Sequence, residues 1–258
     1  MRNMPVNKRR PVAVLGLVIG LMTTAGTAIA QQPTPPTMSS THTVSETLSS
    51  RQQAIIPIAA FGAAGDLPRL AHAINQGLDA GLTVNETKEV LVQLYAYAGF
   101  PRSLNALGEL MKVVEARKQR GIQDAQGTTP GRAIPKGEAL LAAGTANQTR
   151  LVGSPVKGAL FEFAPAIDEY LKTHLFGDIF ERDNLDWQSR ELATVAMLSA
   201  LPGADSQVQS HMAISQNVGL TASQLTQLAQ VLADKVDAEA AGRAREALAR
   251  QLAAKAAR

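Results

Sequence analysis

The sequence predicts an all-α chain built from two copies of one helical unit, and three observations carry that prediction. Apolar side chains recur at three- and four-residue spacing from about Glu46 almost to the end of the chain. No run of alternating β-branched residues, as a half-buried strand needs, interrupts them. One turn also occurs twice: Asp79-Ala-Gly-Leu-Thr-Val-Asn-Glu86 and Asn217-Val-Gly-Leu-Thr-Ala-Ser-Gln224 share a G-L-T-x-x-(E/Q) core. In each copy the glycine, Gly81 or Gly219, suits the left-handed position that closes a helix. Thr83 and Thr221 then cap the next helix, with Glu86 and Gln224 as their capping-box partners.

Taken in order, the chain begins with an export signal at residues 1–30. A basic start (Arg2, Lys8, Arg9, Arg10) leads into an apolar run from Val12 to Met22, then small residues ending Ala28-Ile29-Ala30. The run is too short for a membrane span. Cleavage there predicts a periplasmic or secreted protein with no membrane attachment. Residues 31–45, rich in Pro, Ser and Thr, read as a disordered lead-in that holds His42. The full chain has 25 Lys and Arg against 22 Asp and Glu, but residues 1–30 hold four of the bases and no acid. The mature chain is therefore close to neutral and gives no reason to expect a nucleic acid partner.

Helices are predicted at 46–63, 67–79, 84–98 and 101–119, which make a first repeat at 46–120. Leu67, Leu70, Ala71, Ile74 and Leu78 form the inward stripe of the second. Gly99-Phe-Pro101 breaks the pattern, with Pro101 opening the next helix. A Gly- and Pro-containing linker is expected at 121–158. The second repeat, 159–235, has helices at 161–175, 187–201, 206–217 and 222–234. A C-terminal helix is expected within 236–258.

The chemistry lies in the second repeat. On the 187–201 helix, Trp187, Thr194, Val195, Leu198 and Leu201 gather on one side, and Glu191 falls in the middle of that stripe. On the 206–217 helix, His211 shares a face with Val208, Met212, Ser215 and Val218. The turn Leu201-Pro-Gly-Ala204 makes the two helices antiparallel, which brings Glu191 and His211 together. Such a pair can pass protons or simply hold the core, and the pattern alone leaves both readings open. His72 lies opposite its helix's apolar stripe, and His174 sits near a helix end. Tyr95 and Tyr97, two residues apart, point to different sides of a helix, one toward the core and the other toward a cavity. The chain has no cysteine, which excludes thiol peroxidase, disulfide exchange and thiolate–metal chemistry. No H-E-x-x-H, glycine-rich phosphate loop or serine elbow occurs, and neither a metal nor another cofactor is expected.

VNETKEVLVQLYAYAGFPRSLNAL resembles the E-x-x-E-V-(x)n-Y-A-G-x-P segment of the carboxymuconolactone decarboxylase family. RELATVA and HMAISQNVGLT are similar to that family's R-E-L-(V/A)-T-(I/V)-A helix and H-x-x-x-(A/S)-x-x-x-G-(L/V)-T turn. The likeness spans about 48–118 and 160–235. It implies the alkylhydroperoxidase D-like helical fold, duplicated here, and a homo-oligomer, a trimer for a two-repeat chain. In the family's thiol-using branch a Glu and a His flank a C-x-x-C pair in a proton relay. Glu191 and His211 match those two, whereas Ala204 and Gln207 stand where the cysteines would be. That departure points to the cysteine-free, decarboxylase-like branch. The equivalent positions of the first repeat hold Gln53 and Ala73, with His72 displaced by one, so that repeat lacks a relay of its own.

The implied function is that of a cofactor-free decarboxylase or proton-transfer enzyme on a small organic acid or lactone. Glu191 is the expected general acid/base and His211 its relay partner. Arg190 is the expected carboxylate anchor, and Tyr97 a further substrate-binding residue. The alternative is a non-catalytic exported protein on the same fold that binds a small molecule or serves in an assembly.

Overall fold

The computed structural model describes residues 45–257. The expected signal at 1–30, the lead-in as far as residue 44, and His42 lie outside the described residues. Among the described residues every regular element is helical. α1 (Ser50–Ala64), α2 (Leu67–Asp79), α3 (Val84–Gln93) and α4 (Tyr95–Gln119) form the first repeat. α5 (Glu138–Val152), α6 (Ala159–Phe163), α7 (Pro165–Tyr170) and a π-helix (Leu171–Ile179) follow. The chain ends with α8 (Trp187–Ser199), α9 (Asp205–Asn217), α10 (Ala222–Lys235) and α11 (Ala238–Ala256).

The repeated turn closes in the same way in both copies. Gly81 N–H donates to Leu78 O (3.1 Å) and Leu82 N–H to Gly77 O (2.9 Å). Gly219 N–H donates to Gln216 O (3.1 Å) and Leu220 N–H to Ser215 O (3.0 Å). The two glycines have φ of 91° and 99°, the left-handed region where a side chain is strained. Thr83 with Glu86, and Thr221 with Gln224, complete the capping boxes of α3 and α10.

α1 and α8 pack against each other at the centre, and each is buried on all sides, from Ala54 to Ala63 and from Ser189 to Ser199. A helix enclosed by others needs no polar face, so the single inward stripe expected of the 187–201 segment understates its burial. Around this pair α2 and α9, α3 and α10, and α4 and α11 occupy equivalent places. The helix within 236–258, expected to stand apart, is thus the fourth helix of the second repeat: α11 packs on α9 and α10 as α4 packs on α2 and α3.

Three boundaries differ from expectation, each for a local reason. The 84–98 helix ends at Gln93. The next turn already belongs to α4, which leaves helical geometry only at Gly99 (φ 81°, ψ 161°), just before Pro101. The 121–158 linker contains α5. Its sequence EALLAAGTANQTRLV is rich in Ala and Leu and favours a helix, but Gly144 and the Gly- and Pro-containing stretches on either side hide it. Gly144 is there for contact: a Cβ on it would lie 1.7 Å from the Lys172 carbonyl oxygen. Finally, the 161–175 helix is replaced by α6, α7 and the π-helix, which runs on to Ile179. Leu151, Leu175, Phe176, Ile179, Phe180 and Ile214 form a second small core that fastens this inserted layer to α9.

Candidate active site

Asp186 caps α8 through the backbone N–H of Ser189, fixing the start of the helix that carries Arg190, Glu191 and Thr194. After the turn at 201–203, α9 runs back and presents His211. His211 Nδ1 and Glu191 Oε2 are 2.7 Å apart, a charge-assisted length, with Nδ1–H donating to the carboxylate. Glu191 is fully buried and His211 is 8% exposed. The other Glu191 oxygen, Oε1, is buried without a hydrogen-bond partner among the described residues. Tyr97, from the first turn of α4, sets its ring edge-on to the imidazole, with centroids 5.7 Å apart at 80°. Its hydroxyl is likewise buried and unpartnered among the described residues. Burial, and then the negative charge of Glu191, push the Tyr97 hydroxyl well above its ordinary range, so it stays protonated.

His211 and Tyr97 line a half-open cavity of about 960 Å³ bounded by α4 to α9, the π-helix and the end of α11. Most of its wall is apolar, from side chains such as Val152, Leu160, Phe161, Leu175 and Leu198. Glu191 is not part of that wall. It stands behind His211 and occupies Nδ1, which leaves Nε2 as the ring nitrogen for a ligand. Tyr95 stays outside the cavity and stacks on Phe100 at 4.6 Å. His72 is exposed beside Gln76, and His174 pairs with Asp178 at 3.2 Å.

Arg190 occupies a different place from the one expected of a substrate anchor. Its side chain is fully buried and bonded to Glu89 Oε2 (3.2 Å), Gln93 Oε1 (3.2 Å) and the Arg182 carbonyl (2.9 Å). Arg182 also holds Glu89, at 2.6 and 2.8 Å. Burial alone pushes the Glu89 carboxyl up, but Arg182 and Arg190 outweigh it and hold the group below the usual carboxylate value. Gln93 Nε2 donates to the Arg190 carbonyl and to Thr194 Oγ1, at 2.9 and 2.7 Å. This buried network ties α3 to α8, and nothing in the local sequence announced it. Among the described residues no group of three or more His, Asp and Glu is gathered as metal ligands would be.

A model of the carboxymuconolactone decarboxylase family matches residues 38–111 and 165–250. The chain belongs to this family. No curated protein matches it. In this carboxymuconolactone decarboxylase family member, Tyr97, Arg190, Glu191 and His211 all fall inside the matched regions. The cavity wall supplied by Gln148, Val152, Val156, Leu160 and Phe161 falls between them. Glu191 and His211 thus lie in the matched regions, and part of the cavity wall lies outside them.

Proposed function

We propose that the protein is a cofactor-free enzyme that transfers a proton to or from carbon in a small organic acid or lactone. His211 is the acid/base that meets the substrate, and Glu191 is the positioning residue behind it. This exchanges the roles expected from the sequence, and Arg190 has none at the substrate. One observation carries the reading: a buried carboxylate fixes one nitrogen of a histidine whose ring lines a cavity. In a decarboxylation, carbon dioxide leaves, the electron pair of the broken bond stays on carbon, and protonated His211 delivers a proton there. In an enolisation, neutral Nε2 removes the proton from carbon beside a carbonyl. Tyr97, held protonated, supplies a second donor.

The test is deuterium uptake from solvent at the carbon beside the carbonyl of a panel of lactones and their acids, followed by NMR. His211→Asn should lower the rate by about 100-fold or more, the usual contribution of a general acid or base. Glu191→Gln should lower it and change its pH profile while the melting curve stays cooperative. A His211→Asn protein with near-normal exchange rejects the reading. The non-catalytic alternative is favoured by Gln53 and Ala73, which leave the first repeat without a pair; it requires ligand binding with no exchange in the unaltered protein.

Export and self-association belong to the same proposal. The signal pattern at 1–30 supports the first. Phe100, Leu104 and Met111, between 63% and 70% exposed along one side of α4, support a second copy of the chain as their cover. Light scattering at micromolar concentration that gave the mass of one chain would reject the homo-oligomer.

A further inference from the structure

The residues lining the cavity include no Asp, Glu, Lys or Arg. The titratable side chains among them are Tyr97 and His211 alone. The remaining polar lining is neutral, with Gln148, Gln207 and Ser210 able to meet a carbonyl or ether oxygen. Three nearby cations are engaged elsewhere, Arg190 with Glu89, Lys172 with Asp168, and Arg150 over the Trp187 ring, while Lys157, next to the lining residue Val156, is exposed and outside the lining. Glu191, directly behind His211, adds another acid and no counter-ion. The apolar lining also reaches the mouth, where Leu160 is 66% exposed and Ile167 46%.

From this wall we infer that the cavity takes an uncharged, largely apolar carbonyl compound, a lactone carrying a hydrocarbon chain, and discriminates against the corresponding free carboxylate. The inference rests on the proton-transfer reading for the placement of the reacting carbon at His211. A carboxylate seated at His211 loses its hydration and finds no cation in the lining in exchange, so its burial is unfavourable. A neutral ring loses little, and its chain covers the apolar wall and rim. The volume, near the upper end for small-molecule sites, exceeds what a bare lactone ring fills and suits a ring with a chain. Gln148, Val152, Val156, Leu160 and Phe161 of this wall lie between the family-matched regions, and most of the remaining lining lies inside them. Chemically, Nε2 takes the proton from the carbon beside the ring carbonyl. The C–H electron pair moves into the enolate, whose oxygen takes the charge, and return of a solvent-exchanged proton to the same carbon closes the cycle.

The experiment is calorimetric titration of the unaltered protein with δ-decalactone and with its ring-opened hydroxydecanoate at neutral pH, followed by NMR of each mixture in deuterated buffer. The lactone should bind at least roughly tenfold more tightly. Gln207→Lys, at an exposed lining position, should narrow or reverse that preference by placing a cation in the cavity. Equal or tighter binding of hydroxydecanoate to the unaltered protein overturns the inference, and so does binding of neither. Lactone binding without deuterium uptake upholds the ligand class and rejects the proton-transfer reading. Uptake from hydroxydecanoate with none from the lactone overturns the ligand class and keeps proton transfer.

Discussion

Glu89 and Glu191 are two acids of one core in different company. Glu89 is held by two guanidiniums, whereas Glu191 has one histidine and an oxygen to spare. Replacing Glu89 by Gln leaves Arg190 buried without its counter-charge and should cost about 3 kcal/mol in chemical denaturation. The pH dependence follows from the lowered Glu89 value. Between the ordinary 4.5 and that lower native value, the unfolded carboxyl binds a proton that the native one refuses. Stability is therefore full above 4.5 and falls as the pH drops through the native value. Glu89→Gln should be less stable at neutral pH and lose stability less steeply in acid; an equally steep acid slope in the variant would show that the Arg182–Glu89–Arg190 group is not responsible. At this scale the sequence was partly legible. Turning a helix by 100° per residue was enough to aim Glu191 and His211 inward. It could not place Arg190, whose partner Glu89 is 101 positions away on a helix of the other repeat.

α5 depends on close approach. Gly144→Ala puts a methyl group against the Lys172 carbonyl, a backbone atom that cannot swing aside. The expected result is a loss of about 1–3 kcal/mol, with α5 lifted from the π-helix and the cavity wall at Gln148 and Val152 displaced. Hydrogen exchange confined to α5 and the π-helix would report it, and unchanged protection there would reject it. α5 has the composition of a helix and was hidden by the Gly- and Pro-containing stretches around it; what the sequence could not show is the close contact of Gly144 with Lys172. The repeated turns were legible because their chemistry is local, each glycine and capping box lying within one short stretch. Gly81→Ala and Gly219→Ala should accordingly each cost about 1 kcal/mol by forcing a side chain into positive φ. Very unequal losses in denaturant titration would show that the two turns are not equivalent.

At the scale of the molecule, α1 and α8 bury one another, so neither repeat can complete a core by itself. Calorimetry should show one unfolding transition for both repeats; two separated transitions would mean the halves fold independently. The duplication could be read from two matching turns. That the central helices come one from each copy could not, because both are buried on every side and their sequences do not say what each face meets. The layer of α5, α6, α7 and the π-helix, by contrast, is present once. It gives the molecule a handle for divergence. The paired helices are held in place by mutual folding requirements, while the contiguous stretch from α5 to the π-helix packs on them from one side. On the proposed function, exchanging that stretch should retune which molecule is accepted and leave the Glu191–His211 pair where it is. It is the segment in which an engineer, or natural drift, would look first for a new substrate.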